Sequence, residues 1–303
     1  MYKLERILCP TDFSPASIEA IRFASFLARN ASCQLTIIHV DEHEKGPLGF
    51  FDRDESAVNQ HHELVSGFAQ AKFAEIVKQE KLFPERTSLL VRFGTAYHEI
   101  VEVAEANRFS LVVIATEGLG RSSPHLIGRT VERVVRLCRT PVMTVKPQQS
   151  KMPTRMETIL CPTDFSEYSN FAIPYAVSIA RNYRARIVLL HVTDLTVQHP
   201  EALLQKFPDP RFYHDDADKI NIEKIVGRDV EPENTIVRLA DEYKADLIVI
   251  GTHGARGMRR VQIGNTVEEV VRRTTSPVLT ITHPIHKAVF PRRFKEDYSP
   301  EGN

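Results

Sequence analysis

The eight residues ILCPTDFS occur twice in this chain, at positions 7–14 and again at positions 159–166. A second match, between Thr130–Val145 and Thr266–Ile281, is identical at nine of sixteen positions. The distance between the copies falls from 152 residues at the first match to 136 at the second, so the second copy is 16 residues shorter in its middle. Because a repeat of this length is too long for a solenoid unit, the sequence predicts two homologous domains.

The domain boundaries follow from the repeat and from composition. We place the first domain at residues 1–147 and the second at residues 158–283, and each is long enough to bury its own core. The polar, proline-containing stretch 148–157 is predicted to link them. Residues 284–303, which are rich in Pro, Arg and Lys, are predicted to form a flexible tail.

Each copy alternates short runs of Val, Ile and Leu with helical patterns, which is typical of a parallel sheet covered on both faces. The predicted strands of the first copy are Arg6–Cys9, Gln34–Val40, Ser88–Phe93, Leu111–Thr116 and Pro141–Lys146. Those of the second copy are Thr158–Cys161, Ile187–Val192, Asn221–Val226, Leu247–Ile250 and Pro277–Thr282. We therefore predict an α/β fold with two doubly wound, Rossmann-like domains, each with a five-stranded parallel sheet of order 3-2-1-4-5.

Helices are predicted between these strands. In the first copy they cover residues 15–30, 56–80, 97–107 and 128–138. In the second copy the middle segment Thr193–Lys219 contains three prolines, which leave room for only a shortened helix. The fifth strands are apolar edge strands, so we expect them to pair with each other within the chain and to form a pseudo-dimer with two-fold character.

Two motifs are predicted to meet beyond the carboxyl ends of the first and fourth strands. In the second copy PTD follows the first strand, and the glycine-rich stretch GTHGARGMRRVQIGNTV follows the fourth. These strands are neighbours in the predicted order, so both motifs face the crevice where the winding direction reverses. The glycines expose backbone amides just before a helix begins, and this combination suits an anion such as a phosphate.

These motifs resemble those of the universal stress protein family, and the resemblance covers essentially the whole chain apart from the tail. Nucleotide-binding members of that family carry GxxG, nine residues and a further Gly followed by Ser or Thr, with an Asp after the first strand and a Val closing the second. The residues of the second copy that match or flank this pattern are Pro162, Thr163, Asp164, Val192, Gly251, His253, Gly254, Gly264, Asn265 and Thr266. The resemblance implies that the Asp and the backbone at the Val hold adenine and ribose, whereas the glycine loop and the residue after its last Gly hold phosphates.

The second copy departs from the family pattern at one position. Asn265 replaces the expected Ser or Thr, although its amide group and the hydroxyl of Thr266 can still donate hydrogen bonds. Phosphate binding is therefore expected to be weakened but retained. The alternative interpretation is that Asn265 only caps the following helix and that the glycines are a relic of the fold.

The first copy departs further. It keeps Asp12, Val40, Gly118 and Gly128, but the changed positions are Ala115, Glu117, Pro124 and Arg129. A carboxylate at Glu117 would repel phosphates, whereas Arg129 would attract them, and the loss of a glycine removes a place where the backbone could approach a ligand closely. We expect this copy to bind a nucleotide less well than the second, or to have a structural or partner-contacting role.

Other candidate residues have simpler interpretations. His61 and His62 are adjacent on a helix and point about 100° apart, which argues against a shared metal ion. His39 and His191 end the second strands and are expected to be packed, and Ser14 and Ser166 are expected to be helix caps. His253 is interpreted equally well as a phosphate contact or a support for the loop, and Arg256, Arg259 and Arg260 as phosphate contacts or as a solvated charged loop.

Composition narrows the class of protein. The chain has 303 residues and equal numbers of acidic and basic side chains, 39 of each, so it has no overall charge that would favour nucleic acid or an anionic membrane. No apolar run is long enough for a membrane span, and the first residues do not resemble a secretory signal, so we expect a cytoplasmic location. The four cysteines form no CxxC pair and are expected to be reduced and buried.

We interpret the chain as a regulatory protein of the stress response whose second domain binds ATP or another adenine nucleotide, with or without Mg²⁺; the physiological setting is implied by the resemblance. No paired carboxylates, activated nucleophile or P-loop is evident, so we expect no enzyme activity beyond slow, incidental ATP hydrolysis. One alternative is a nucleotide-independent scaffold for protein partners, with vestigial crevices, and homodimerisation stays open in both cases. A nucleotidyl-transferring enzyme of the same broad fold is disfavoured because the paired histidines and lysine-rich signatures of such enzymes are missing.

Overall fold

The structure is a computed structural model, and it describes residues 2–42, 55–118, 127–147, 155–209, 219–253 and 264–282. The predicted tail at 284–303 and most of the predicted linker lie outside these residues. No helix in the described ranges is long and apolar enough to cross a lipid bilayer.

The first half alternates strands and helices as the sequence predicts. Its elements are β1 (Arg6–Thr11), α1 (Pro15–Ala31), β2 (Gln34–Asp41), α2 (Glu55–Gln79), β3 (Thr87–Phe93), α3 (Ala96–Ala106), β4 (Leu111–Ala115), α4 (Arg129–Leu137) and β5 (Val142–Val145), with a short 3-10 helix at Pro84–Arg86 before β3. Ser14 is the N-cap of α1 and accepts a hydrogen bond from the Ser17 amide at 3.2 Å, which confirms its predicted role.

The second half repeats this order with two changes in its helices. Its elements are β6 (Thr158–Pro162), α5 (Glu167–Asn170), α6 (Ile173–Tyr183), β7 (Arg186–Thr193), β8 (Ile222–Arg228), α7 (Pro232–Glu242), β9 (Leu247–Gly251), α8 (Asn265–Arg273) and β10 (Val278–Ile281). Between β7 and β8 the structure has a 3-10 helix at Pro200–Lys206, where the first half has the 25-residue α2. The described part of this segment agrees with the prediction of a shortened helix, and residues 210–218 lie outside the described residues.

The other change is a break in the first helix of the second half. Where α1 runs without interruption, the second half has α5 and then α6, and Pro174 stands at the position that Arg22 holds in α1. A proline cannot donate the amide hydrogen bond that would continue α5, so the helix has to restart there. In α1 the Arg22 guanidinium instead binds the Glu80 carboxylate just beyond α2, with two nitrogen–oxygen distances of 2.7 Å.

The ten strands of the described residues form a single sheet of order β3-β2-β1-β4-β5-β10-β9-β6-β7-β8. Within each half the strands are parallel and follow the predicted order 3-2-1-4-5. The two halves join where β10 pairs with β5 in antiparallel fashion, with Leu279 opposite Met143. The predicted pairing of the fifth strands inside one chain is confirmed.

The sheet separates two hydrophobic layers. Successive residues of a strand face opposite sides, so Ile7 and Cys9 of β1 pack toward α1, whereas Leu8 packs toward α3 and α4. The layer that contains α1 and α6 is one continuous cluster across both halves, while the opposite face carries a separate cluster in each half. All four cysteines are unpaired and buried, as predicted.

Candidate functional site

The PTDFS turn has the same construction in both halves. Phe13 adopts a left-handed backbone conformation with φ of 61°, which is strained for a large side chain, and Phe165 does the same with φ of 65°. In the first half the Thr11 hydroxyl accepts from the Phe13 amide at 2.9 Å, and the Asp12 carboxylate accepts from the Ser14 amide at 3.0 Å. The Thr, Asp and Ser of the motif therefore hold the turn that brings the aspartate to the end of the strand.

Asp164 has the equivalent place at the carboxyl end of β6, where it is exposed to solvent. Its Oδ1 accepts from the Ser166 amide at 3.0 Å and from the Ser169 hydroxyl at 2.6 Å. Ser166 is the N-cap of α5, as predicted. These bonds use one carboxylate oxygen to fix the turn and orient the carboxylate at the edge of the sheet.

The other two residues of the motif, Pro162 and Thr163, are buried and hold the turn. The Thr163 hydroxyl accepts from the Phe165 amide at 3.0 Å and donates to the Asn170 side chain at 2.7 Å. Pro162 is the last residue of β6. A direct ligand contact by either side chain stays a prediction, since the structure gives both a role within the turn.

A phenylalanine ring packs on a histidine ring behind each turn. The Phe165 ring stacks on His191 at 4.0 Å between centroids, and His191 Nδ1 donates to the Thr163 carbonyl at 2.9 Å. Burial lowers the pKa of His191 below its ordinary value. His39 makes the matching bond to the Thr11 carbonyl at 3.0 Å, so both histidines are packed, as predicted.

Val40 lies on β2 and Val192 on β7, each one strand farther from the centre of the sheet than the PTDFS turn of its half. Each is the next-to-last residue of its strand, β2 or β7, and each is half-buried against the hydrophobic cluster on the α3 or α7 side. Because β2 pairs with β1 and β7 with β6, each valine stands at the same edge of the sheet as the aspartate of its half. This is the arrangement that the predicted crevice requires.

At the end of the fourth strand the two halves differ. In the second half the buried Thr252 hydroxyl lies 2.9 Å from His253 Nδ1 and donates to the Thr282 hydroxyl at 3.2 Å. In the first half the equivalent Thr116 is 3 % exposed, and its hydroxyl has no hydrogen-bond partner among the described residues. The residue after it is Glu117 in place of a histidine, so the hydrogen bonds that Thr252 makes to His253 and Thr282 have no counterpart in the described part of the first half.

Gly251 has a packing role that the sequence analysis missed. A Cβ at this position would lie 2.9 Å from the Tyr168 carbonyl oxygen and 3.1 Å from Ser169 Cα, because α5 lies directly against the end of β9. In the first half the equivalent Ala115 is 5 % exposed and packs in the cluster that contains α1. The loss of a close approach to a ligand at Ala115 and a ligand contact at Gly251 both stay predictions.

The glycine loop begins beside the aspartate in the first half. A Cβ added at Gly118 would come 2.7 Å from Asp12 Oδ2, so the two motifs face one crevice there, as predicted. Gly254, the equivalent of Gly118, lies outside the described residues, and so do Pro124, Arg256, Arg259 and Arg260. In the second half the described part of the crevice is bounded by Asp164 after β6 and by His253 after the neighbouring β9.

The loop returns to the sheet at Gly264, whose amide donates to the Thr252 carbonyl at 3.1 Å. Gly264 is the N-cap of α8, and Asn265 is its first helical residue and is exposed. The interpretation of Asn265 as the helix cap is therefore wrong, because the residue before it takes that position. The amides of Asn265 and Thr266 find no acceptor in the described part of the chain, and the Thr266 hydroxyl donates to Glu233 Oε2 at 3.3 Å.

The first half closes its loop in the same way. The Gly128 amide donates to the Thr116 carbonyl at 3.0 Å, and α4 begins at Arg129, which is exposed. Lys146 lies near Glu117, and its ammonium group donates to the Arg272 carbonyl of the other half at 2.7 Å. Burial lowers the pKa of this lysine, while the Glu117 carboxylate opposes that shift.

Two groups of histidines and carboxylates lie elsewhere in the first half. His61 Nε2 is 2.5 Å from the Asp41 carboxylate, whereas His62 stacks on Phe93 at 3.7 Å, so the adjacent histidines take different partners. On α3, His98, Glu99 and Glu102 could bring three ligand atoms to one metal ion. All three side chains of that second group belong to one partly exposed helix.

Comparison with known proteins gives a consistent result. The model of the universal stress protein family matches residues 3–146 and again residues 156–282. Universal stress protein MJ0531 of Methanocaldococcus jannaschii is 30% identical over 144 residues, which cover 42% of this chain and 82% of that protein. Universal stress protein Rv2623 of Mycobacterium tuberculosis is 23% identical over 299 residues, covering 90% of this chain and 95% of the relative. A crystal structure of a universal stress protein from Archaeoglobus fulgidus has a TM-score of 0.71 at 19% identity, covering 93% of this chain and 99% of that one, so the fold is shared along the length of the molecule.

Proposed function

The chain belongs to the universal stress protein family, and on this premise we propose that its second half binds ATP or another adenine nucleotide as a regulatory ligand. The observation that carries the proposal is the pairing of two groups at one edge of the sheet. The amides of Asn265 and Thr266 at the start of α8 find no acceptor among the described residues, and Gly264 joins this helix to the residue after β9. The oriented Asp164 carboxylate stands at the end of the neighbouring β6.

These two groups suit opposite ends of a nucleotide. Backbone amides at a helix N-terminus, together with the helix dipole, favour phosphate oxygens. A carboxylate oriented at the edge of the sheet is a strong acceptor for ribose hydroxyl groups. Magnesium would supply charge neutralisation for the phosphates, and the Asn265 amide and the Thr266 hydroxyl are the side chains closest in sequence to that end of the crevice.

The first half is a weaker candidate for the same ligand. Glu117 places a carboxylate near the loop in the position that His253 holds in the second half, and this charge opposes phosphate binding. The buried Thr116 hydroxyl lacks a partner among the described residues, whereas the equivalent Thr252 hydroxyl is hydrogen-bonded to its neighbours. We therefore assign regulation by nucleotide to the second half and a structural role to the first crevice.

On this proposal the protein is a binding switch and not a catalyst. No described residue of the second crevice combines a nucleophile with a base, so hydrolysis would be slow and incidental. Occupancy would change how the protein contacts its partners in the cytoplasm during stress. The competing proposal is a scaffold that holds the same partners without a nucleotide.

Calorimetric titration with ATP and Mg²⁺ tests this assignment. We expect saturable binding with a dissociation constant on the order of 10 µM and one site per chain. Asp164→Ala should weaken binding by about tenfold or more, because a hydrogen bond to a charged acceptor is lost. The matched variant Asp12→Ala should leave affinity within about twofold of the wild type.

A third variant separates ligand contacts from folding of the turn. Asp164→Asn keeps the Oδ1 acceptor for the Ser166 amide and removes only the charge, so it should bind ATP with intermediate affinity and keep the thermal midpoint of the wild type. Absence of heat in all proteins would favour the scaffold. Equal losses in Asp12→Ala and Asp164→Ala would overturn the assignment to the second half.

A further inference from the structure

A cleft of about 310 Å³ opens in the first half at the amino ends of β2 and β3. It lies between the end of α1 and the 3-10 helix before β3, at the opposite end of the strands from Asp12. None of the family motifs contributes to its walls. The cleft is therefore separate from both crevices and from the nucleotide proposal.

The floor of the cleft is apolar apart from two small groups. Leu35 is 2 % exposed and Ala28 is 8 % exposed. The Cys33 thiol lies beside them, and burial raises its pKa, so the sulfur is neutral at physiological pH. Ser25 is 7 % exposed, and its hydroxyl forms no hydrogen bond with any residue that the structure describes, so a ligand could supply its partner.

The rim carries the charges. The Arg86 guanidinium forms no ion pair within the described part of the chain, and Glu85 stands next to it. Arg29 donates to the Lys81 carbonyl at 2.6 Å, and its guanidinium lies over the Phe83 ring at 5.3 Å. These contacts occupy some of its hydrogen-bond donors but do not neutralise its positive charge. Two guanidinium groups against one carboxylate leave a single positive charge, which matches a monoanion better than a dianion.

We propose that this cleft binds a small organic carboxylate, with its carboxylate at Arg86, its apolar part on Leu35 and Phe83, and a polar atom within reach of the Ser25 hydroxyl. The volume fits a ligand at the small end of the range seen for binding pockets. The carbonyl groups at the end of α1 carry partial negative charge, which opposes any anion and opposes a doubly charged ligand such as a phosphate monoester more strongly than a carboxylate.

The second half supplies a natural comparison, because its matching positions lack these groups. Val177 stands where the first half has Ser25, Ala185 where it has Cys33, and Arg184 where it has Ser32. The β7–β8 connection also differs from the segment that supplies Phe83 and Arg86. We therefore expect only one such site per chain.

The test uses the full chain and three matched probes: benzoate as a monoanion, benzyl alcohol as a neutral analogue and phenyl phosphate as a dianion. Backbone amide signals of Cys33 and Thr87 are followed by heteronuclear NMR. We expect saturable shifts with benzoate and a dissociation constant on the order of 1 mM, as befits so small a ligand. Benzyl alcohol and phenyl phosphate should bind at least about fivefold more weakly.

Variants assign the contacts. Arg86→Gln should weaken benzoate binding about tenfold and Ser25→Ala about threefold, while Arg139→Gln, which removes an exposed arginine elsewhere in the first half, should leave it unchanged. The proposal is overturned if benzoate causes no saturable shift at the cleft or if Arg86→Gln binds it as well as the wild type does. Tighter binding of phenyl phosphate would overturn the assignment of a monoanion. Neither result depends on ATP, so the nucleotide proposal stands or falls separately.

Discussion

The two halves keep the same turns but differ in the helices around them. The PTDFS turn, with its left-handed phenylalanine and its histidine behind, is built from the same hydrogen bonds in both. By contrast, α1 is continuous and tied to the end of α2 through Arg22 and Glu80, whereas its counterpart is broken before Pro174 and has a 3-10 helix as its neighbour. The two halves therefore share the hydrogen bonds that orient the aspartate but differ in the packing of the helices around it.

The difference between the halves also shows that a glycine in a ligand-binding motif can have a packing role. Gly251 occurs in a loop pattern that favours phosphate, but the structure uses it to let the broken helix approach β9. In the first half the equivalent position holds Ala115, whose side chain is buried in the cluster that contains α1. The presence of a glycine in only one copy can therefore reflect the packing of the neighbouring helix as well as a contact with a ligand.

The largest expected effect in this comparison comes from exchanging these two residues. Gly251→Ala should lower the free energy of unfolding by about 2 kcal/mol, because the new methyl group meets the backbone of α5 and not a flexible side chain. Ala115→Gly should cost only about 1 kcal/mol, from the added freedom of the unfolded chain and a small lost contact. Urea unfolding monitored by circular dichroism measures both. Equal costs would mean that the broken helix does not constrain position 251.

A second pair of variants tests the polar network at the end of the fourth strand. Thr252→Val removes hydrogen bonds to His253 and Thr282 and should cost about 1 to 2 kcal/mol. Thr116→Val replaces a buried hydroxyl that has no partner among the described residues, so it should be neutral or slightly stabilising. Thermal unfolding of both variants at one pH decides the question. A destabilised Thr116→Val protein would show that its hydroxyl has a partner outside the described ranges.

The smallest expected effect concerns the pH dependence of stability in the second half. Burial lowers the folded-state pKa of His191 below the ordinary value of 6.5, so the unfolded chain takes up the proton more readily. The stability that neutral His191 contributes is present above about pH 6.5 and is lost as pH falls through the folded-state pKa. Urea unfolding at about pH 7.5 and pH 5.5 should therefore show a smaller loss in His191→Gln than in the wild type. An identical loss in both would contradict this origin.

Much of the fold could be predicted because the same strand, turn and helix patterns occur twice in the sequence. Strand order, the antiparallel pairing of β5 with β10 and the capping by Ser14 and Ser166 all follow from local patterns and general rules of α/β topology. The break before Pro174 has a visible signal, since a proline replaces a helical residue of the other copy. The close contact between α5 and Gly251 has no such signal in the sequence, because it depends on how near the helix lies to the sheet.

The candidate site was predictable to a similar depth. The neighbouring positions of Asp12 and Gly118 follow from strand order, as does the placement of Val40 and Val192 at the same edge. The alternative interpretation of Asn265 as the cap of α8 is wrong by one residue, since Asn is the more usual cap and glycine leaves no side-chain signal. The cleft at Cys33 could not be read from the sequence, because α1, β2 and the segment before β3 contribute to it from separate places.

The antiparallel join between β5 and β10 sets the direction of each half. Strands of the first half end at one rim of the sheet, and strands of the second half end at the other. The crevices at Asp12 and Asp164 therefore look in opposite directions, and the Cys33 cleft opens toward the rim that carries Asp164. A macromolecule bound at that rim would contact the carboxyl ends of the second-half strands and the amino ends of the first-half strands. The duplicated chain therefore presents two different surfaces at one rim despite its internal symmetry.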